Sequence, residues 1–123
     1  MDKTIRVLLV EDNDVYREAL EFLLDRYDGL DVVGGVAMGG AAANACLEFE
    51  ADVVVIDYRL PDIDGFEVAA EVREKCPETT VVFLSASTGS DEVAAAQSAG
   101  VALIGKDEGV DVLVGAVRAA VGG

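Results

Sequence analysis

The chain has 123 residues, enough for one domain with a genuine core, and about half of it (52%) is apolar. Nine basic residues stand against 24 acidic ones, a net charge of −15 that argues against this chain gripping nucleic acid through its own surface. It has no histidine, the usual metal ligand and general base, so a zinc site is not expected. Cys46 and Cys76 form no CxxC pair and read as free thiols of a reducing cytosol. The apolar run after Lys3-Thr4-Ile5-Arg6 lasts only from Val7 to Val10, too short for a signal or membrane segment, and the protein is expected to be soluble and cytoplasmic.

In chain order, strand and helix alternate five times. Ile5 to Val10 predicts a first strand, and Glu11-Asp12-Asn13-Asp14 a turn with Asp14 as helix N-cap. The first helix is expected over Val15 to Tyr27, with Val15, Ala19, Phe22, Leu23 and Arg26-Tyr27 at helical spacing, and Asp28-Gly29 ends it. Asp31 to Val36 is a short strand weakened by Gly34 and Gly35; Met38-Gly39-Gly40 leads from it into an alanine-rich helix reaching Phe49. Val53-Val54-Val55-Ile56 is four β-branched residues in a row, the mark of a central strand buried on both faces, and it stops on Asp57.

Leu60-Pro61-Asp62-Ile63-Asp64-Gly65 then turns the chain. Gly65 opens a third helix that Cys76-Pro77 closes, because proline cannot continue it. A fourth strand is expected from Thr79 to Leu84. Ser87-Thr88-Gly89-Ser90 caps a fourth helix that ends at Gly100. A fifth strand covers Val101 to Ile104, with Lys106 just beyond it, and the last helix carries one stripe of Val110, Leu113, Val114, Val117 and Val121.

Strands separated by helices of this length must pair in parallel, with right-handed crossovers placing helices on both faces. The expected fold is therefore α/β: a doubly wound five-stranded parallel sheet in the order 2-1-3-4-5, with five helices, filling 1–123 as one domain. In such a sheet ligands gather at the carboxyl ends of the strands. That rim would collect Glu11, Asp12, Asp57, Ser85 and Lys106 from four strand ends. Taken alone, a strand-ending Asp is an ordinary turn cap, a strand-end Lys a solvated surface group and a Ser after a strand a helix cap. Their joint placement is more specific. Three carboxylates this close repel one another, and a hard divalent cation such as Mg2+ relieves that repulsion. Asp57 is then placed to attack phosphorus as a nucleophile, with the Lys106 ammonium and the Ser85 hydroxyl meeting phosphoryl oxygens.

Leu8-Leu9-Val10-Glu11-Asp12, the run from Asp57 through Arg59 and Pro61 to Gly65, Leu84-Ser85-Ala86 and Gly105-Lys106-Asp107 together resemble the two-component response-regulator receiver domain, over essentially the whole chain. The resemblance implies that Asp57 is the phosphoacceptor and that Asp12, Asp57 and the Arg59 carbonyl contact Mg2+ directly, with Glu11 acting mainly through water. It implies that Ser85 is the switch hydroxyl and Lys106 the phosphate-binding lysine, and that Arg59 and Ser87 occupy the positions that tune phosphoryl lifetime. A histidine kinase or phosphotransfer protein would be the phosphodonor partner. Asp107 after the lysine and the Val117-Arg118-Ala119-Ala120-Val121-Gly122-Gly123 ending are similar to the NarL/FixJ type, whose helix-turn-helix effector domain is not in this chain. That likeness implies a role in transcription through such a domain and suits the receiver portion of a longer regulator.

The chain departs from the family in two ways. Leu103 stands where an inward-swinging Tyr or Phe is common, and the segment from Gly100 to Lys106 is one residue shorter. Phosphorylation would shift a conformational population at the later helices, a signalling role rather than turnover. An atypical receiver that acts as a phosphorylation-independent interaction module is the alternative. Two enzyme-class readings fit worse: an aspartate-nucleophile phosphatase needs a second Asp where Arg59 stands, and a flavin carrier would meet phosphate with the repelling Glu11-Asp12-Asn13-Asp14 loop. A homodimer through the first and last helices, by way of Leu20, Leu24 and Val117, is a further expectation.

Overall fold

The computed structural model describes residues 4–86 and 89–122. Its strands are β1 (Ile5–Val10), β2 (Leu30–Val36), β3 (Val53–Asp57), β4 (Thr80–Ser85) and β5 (Ala102–Gly105), and its helices α1 (Asp14–Asp25), α2 (Ala42–Phe49), α3 (Gly65–Lys75), α4 (Ser90–Ala99) and α5 (Val110–Gly122). A single 3-10 turn, Gly39–Ala41, precedes α2. The strands form one sheet, parallel throughout as the alternation of elements predicts, in the expected order β2-β1-β3-β4-β5.

Period-two alternation divides the core into two layers. Leu8, Val10, Val54, Ile56, Val81 and Phe83 face α2, α3 and α4, where Cys46, Val68, Val72 and Ala96 receive them. Val7, Leu9, Val53, Val55, Val82 and Leu84 face α1 and α5, against Leu20, Leu24, Leu113, Val114 and Val117. All five residues of β3 are buried, so this central strand, like β1 and β4 beside it, serves both layers, and each such aliphatic side chain contributes roughly 1.5–3 kcal/mol.

Several local expectations give way to tertiary packing. The α1 N-cap is Asn13, whose side-chain oxygen accepts the Tyr16 N–H at 2.9 Å; Asp14 is the first helical residue and pairs with Arg17 at 2.8 Å. The stripe of Val15, Phe22 and Leu23 does not face the sheet, since these are 80%, 63% and 40% exposed; Leu20 and Leu24, one helical step around, are buried instead. Helix α1 also stops at Asp25, capped by Arg26. On α5 the stripe holds for Leu113, Val114 and Val117, while Val121 is exposed. The expected dimer contact fails for the same reason: Leu20, Leu24 and Val117 are all buried inside the protomer and cannot reach a second chain. The α4 N-cap is Gly89, with no side-chain cap; Ser87 and Thr88 lie outside the described residues.

Candidate functional site

Glu11 follows β1, Asp57 ends β3 and Ser85 ends β4, and all three are buried polar residues in an otherwise apolar interior. Lys106 follows β5, its backbone N–H donating to the Ser85 carbonyl at 2.7 Å, which ties the two strand ends together. The Lys106 ammonium reaches inward to donate to Glu11 Oε1 at 2.7 Å and Asp57 Oδ2 at 3.3 Å. Asp12 is exposed, yet carboxylate oxygens of Glu11, Asp12 and Asp57 lie within 4.8 Å of one another. Three carboxylates against one ammonium leave the cluster short of positive charge.

The two buried carboxylates are fixed by backbone as well. Glu11 Oε2 accepts the Asn13 N–H at 3.0 Å, and Asp57 Oδ1 accepts the Arg59 N–H at 3.1 Å. Burial works against the Lys106 charge, but the hydrogen bond to Glu11 and the negative charges of Asp57 and Glu11 outweigh it, so its pKa ends above the ordinary lysine value. The donor set is all hard oxygen, which suits a small divalent cation of the magnesium class and not a soft or zinc-like metal.

The β3–α3 loop is held from several sides. Arg59 and Asp64 form an isolated bridge across its neck, and the Arg59 guanidinium meets Glu92 of α4 at 3.5 Å, so this side chain does pair with an acid. Asp64 caps α3 by accepting the Phe66 N–H at 2.7 Å. Gly65 is required there, because a Cβ would stand 2.9 Å from the Tyr58 carbonyl oxygen. Under the loop, Tyr58, Phe66 and Phe83 meet edge to face with ring centroids 5.1 to 5.6 Å apart.

Two contributors escaped the sequence reading. Asp62 accepts the Gly39 N–H at 3.0 Å and the Gly40 N–H at 2.9 Å, clasping the β3–α3 loop to the 3-10 turn before α2; these N–H groups, Gly40 first, hold its carboxyl below the usual range. At Gly39 a Cβ would run into the Ile63 side chain, so the clasp needs glycine. Tyr16, in the first turn of α1, places its ring 4.6 Å from the Lys106 ammonium. Burial raises its pKa; Lys106 pulls it down, while Glu11 and Asp57 push it up. Leu103, half-buried on β5, packs against the core layer that contains Phe83 and lies opposite Phe83 in the sheet register.

A profile of the response regulator receiver domain matches residues 7–118. The chain belongs to the response regulator receiver domain family. The solved two-component response regulator of the LuxR family from Aurantimonas sp. SI85-9A1 is 30% identical and superposes with a TM-score of 0.87 over 95% of this chain and 84% of that one. The signal receiver domain of the putative response regulator NarL from Mycobacterium tuberculosis is 29% identical, with a TM-score of 0.83 over 94% of this chain and 98% of that one. Protein-glutamate methylesterase/protein-glutamine glutaminase 1 of Syntrophus aciditrophicus is 36% identical over 89 residues, covering 72% of this chain and 25% of that protein. The chain spans between about a fifth and a half of the length of such curated relatives. Among the described residues, no helix is long and apolar enough to cross a membrane.

Proposed function

We propose that Asp57 accepts a phosphoryl group from the phosphohistidine of a histidine kinase or phosphotransfer protein, and that this modification switches the receiver between conformations that control an output. The observation that carries the reading is the Asp57 carboxylate, 7% exposed, bonded to the Lys106 ammonium and grouped with Glu11 and Asp12 at the carboxyl ends of the strands. An Asp57 oxygen forms a bond to phosphorus as the P–N bond breaks, and the donor ring, already protonated on its other nitrogen, leaves as neutral imidazole. Lys106 turns from the carboxylates to the phosphoryl oxygens, and the Ser85 hydroxyl, at the adjoining strand end, donates to another. Glu11, Asp12, Asp57 and the Arg59 carbonyl are the groups that hold Mg2+. When bound, the cation neutralises charge between the carboxylates and the incoming phosphoryl group.

Phosphorylation adds negative charge beside Lys106 and Ser85, favouring the state in which they close on it. Helix α4 lies one ion pair from the site through Arg59 and Glu92, so its surface is the first to respond. The role is regulatory rather than turnover, in the cytoplasm, and the LuxR-family likeness supports transcription as the output, read by a DNA-binding domain of a longer regulator. Leu103 favours one competing reading, a module that signals without phosphorylation, because it fills the core where an aromatic would have to swing.

Intact-protein mass after incubation with acetyl phosphate, with and without Mg2+, separates the two. A single Mg2+-dependent phosphoryl adduct lost in Asp57→Asn is expected. A wild type that stays unmodified even with a phosphorylated histidine donor, while folded by circular dichroism, would transfer the weight to the phosphorylation-independent module.

A further inference from the structure

Lys106 reaches the site on a flexible four-carbon stem, and two carboxylates on one side do not by themselves fix it. Glu11 and Asp57 draw the ammonium inward at 2.7 and 3.3 Å, but the side chain is still 22% exposed. The ammonium nitrogen also stands over the Tyr16 ring, 4.6 Å from its centroid. Tyr16 is itself firmly held. Its backbone N–H is the group capped by Asn13, and its half-buried ring lines a cleft of about 110 Å3 with Leu20, Leu84, Gly105 and Leu113. An aromatic face carries negative charge density, and an ammonium that meets such a face as well as two carboxylates is attracted by all three while losing water.

We propose that Tyr16 is a positioning residue for the phosphoacceptor site: its ring face confines the Lys106 ammonium to the arc between Glu11 and Asp57, so that it meets an incoming phosphoryl group without first being recruited from solvent. The inference rests on the reading of Asp57 as phosphoacceptor and adds to it a residue from α1, 90 positions from the lysine it serves. The ring face, not the phenol, does the positioning, because the contact is to the centroid. Phenylalanine should therefore replace tyrosine, whereas leucine, similar in apolar character but without a π face, should not.

The test compares wild type, Tyr16→Phe and Tyr16→Leu in two measurements. The first follows the Lys106 ε-CH2 protons by NMR in lysine-labelled protein, a simple spectrum because the chain has only three lysines. Ring current should move the Lys106 signal upfield in wild type and Tyr16→Phe, and return it to the position of a solvated lysine in Tyr16→Leu. The second is the rate of Mg2+-dependent phosphorylation by acetyl phosphate, expected to be unchanged in Tyr16→Phe and about fivefold slower in Tyr16→Leu, the size of a partly desolvated cation–π contact. Thermal melting checks that all three remain folded. In a Lys106→Ala background the further change Tyr16→Leu should slow the reaction no more, since its effect passes through the lysine. An unshifted Lys106 signal in wild type, a Tyr16→Leu rate equal to wild type, or a Tyr16→Phe loss as large as that of Tyr16→Leu would each overturn the proposal with the acceptor reading intact. A wild type with the Lys106 shift but no phosphoryl adduct would overturn the acceptor reading, and the positioning role with it, while the contact itself stood.

Discussion

At the amino end of the sheet, Arg6 turns its guanidinium onto the end of α2, donating to the Phe49 carbonyl at 2.7 Å and to Glu50 at 3.2 Å, while Asp52 accepts the Arg6 N–H at 2.9 Å. The Thr79 hydroxyl donates to Ala51 at 2.8 Å and accepts from the buried Cys46 thiol at 3.4 Å. At the carboxyl end, three carboxylates cluster and one lysine pairs with two of them. The amino end carries the larger cleft, about 730 Å3 and lined by Arg6, Cys46, Asp52, Cys76 and Thr79, against about 110 Å3 beside Tyr16 and Lys106. Cleft size therefore points to the wrong end. Polar groups at the amino end are consumed by backbone, so the cleft is a seam between elements; those at the carboxyl end carry surplus negative charge that only a cation or a chemical change relieves.

Arg6→Ala is the largest expected break in that comparison. It removes charge-assisted bonds to half-buried carbonyls at the end of α2, and should cost about 2 kcal/mol by urea unfolding. The phosphorylation rate should not change, because nothing at the carboxyl rim depends on Arg6. A rate that fell in step with stability would show that the two ends are not independent.

Lys106→Met acts at the other end and should be milder in stability, about 1 kcal/mol, because the lysine side chain is 22% exposed and water screens its pairs with Glu11 and Asp57. Its signature is the response to metal. With the lysine gone, Glu11, Asp12 and Asp57 face one another without a counter-charge, so added Mg2+ should raise the melting temperature more in Lys106→Met than in wild type. The Arg6→Ala melting temperature should respond to Mg2+ as wild type does. The pH dependence has a definite sign: the folded-state pKa of Lys106 is raised, so its contribution is complete below the ordinary lysine range and fades only as pH climbs through the folded value. The gap between wild type and Lys106→Met should be flat through neutral pH and narrow in strong alkali.

The same contrast explains what could be read from the chain alone. β3 was legible because four β-branched residues followed by an acid leave few alternatives, and the rim residues Glu11, Asp57, Ser85 and Lys106 were legible because each ends its strand or directly follows it. The buried face of α1 was not, since Val15, Ala19, Leu20, Phe22, Leu23 and Leu24 spread apolar character over most of its circumference; only packing into the core layer that holds Leu9 and Val55 selects Leu20 and Leu24. Asn13 and Asp14 are equally good caps by composition, and the backbone decides between them. The Tyr16 ring on Lys106 and the Asp62 clasp on Gly39 and Gly40 join residues 90 and 23 positions apart, and no local pattern announces either.

Asp62→Asn is the smallest of the expected effects and the sharpest probe of how the rim is kept in shape. The carboxylate lies at the surface, so its loss should leave the core unchanged while loosening the β3–α3 loop that carries the Arg59 carbonyl. Because the folded-state pKa is depressed, the clasp contributes at neutral pH and is lost as pH falls through the folded value. Wild type should therefore melt above Asp62→Asn at pH 7, with the difference vanishing once the medium is acid enough to protonate the wild-type carboxyl. Affinity for Mg2+, measured by calorimetry at pH 7, should fall in Asp62→Asn if the clasp holds the Arg59 carbonyl in place for the cation. An equal affinity in both proteins would confine Asp62 to tying two loops together and leave the Arg59–Asp64 bridge as the device that shapes the metal side of the site.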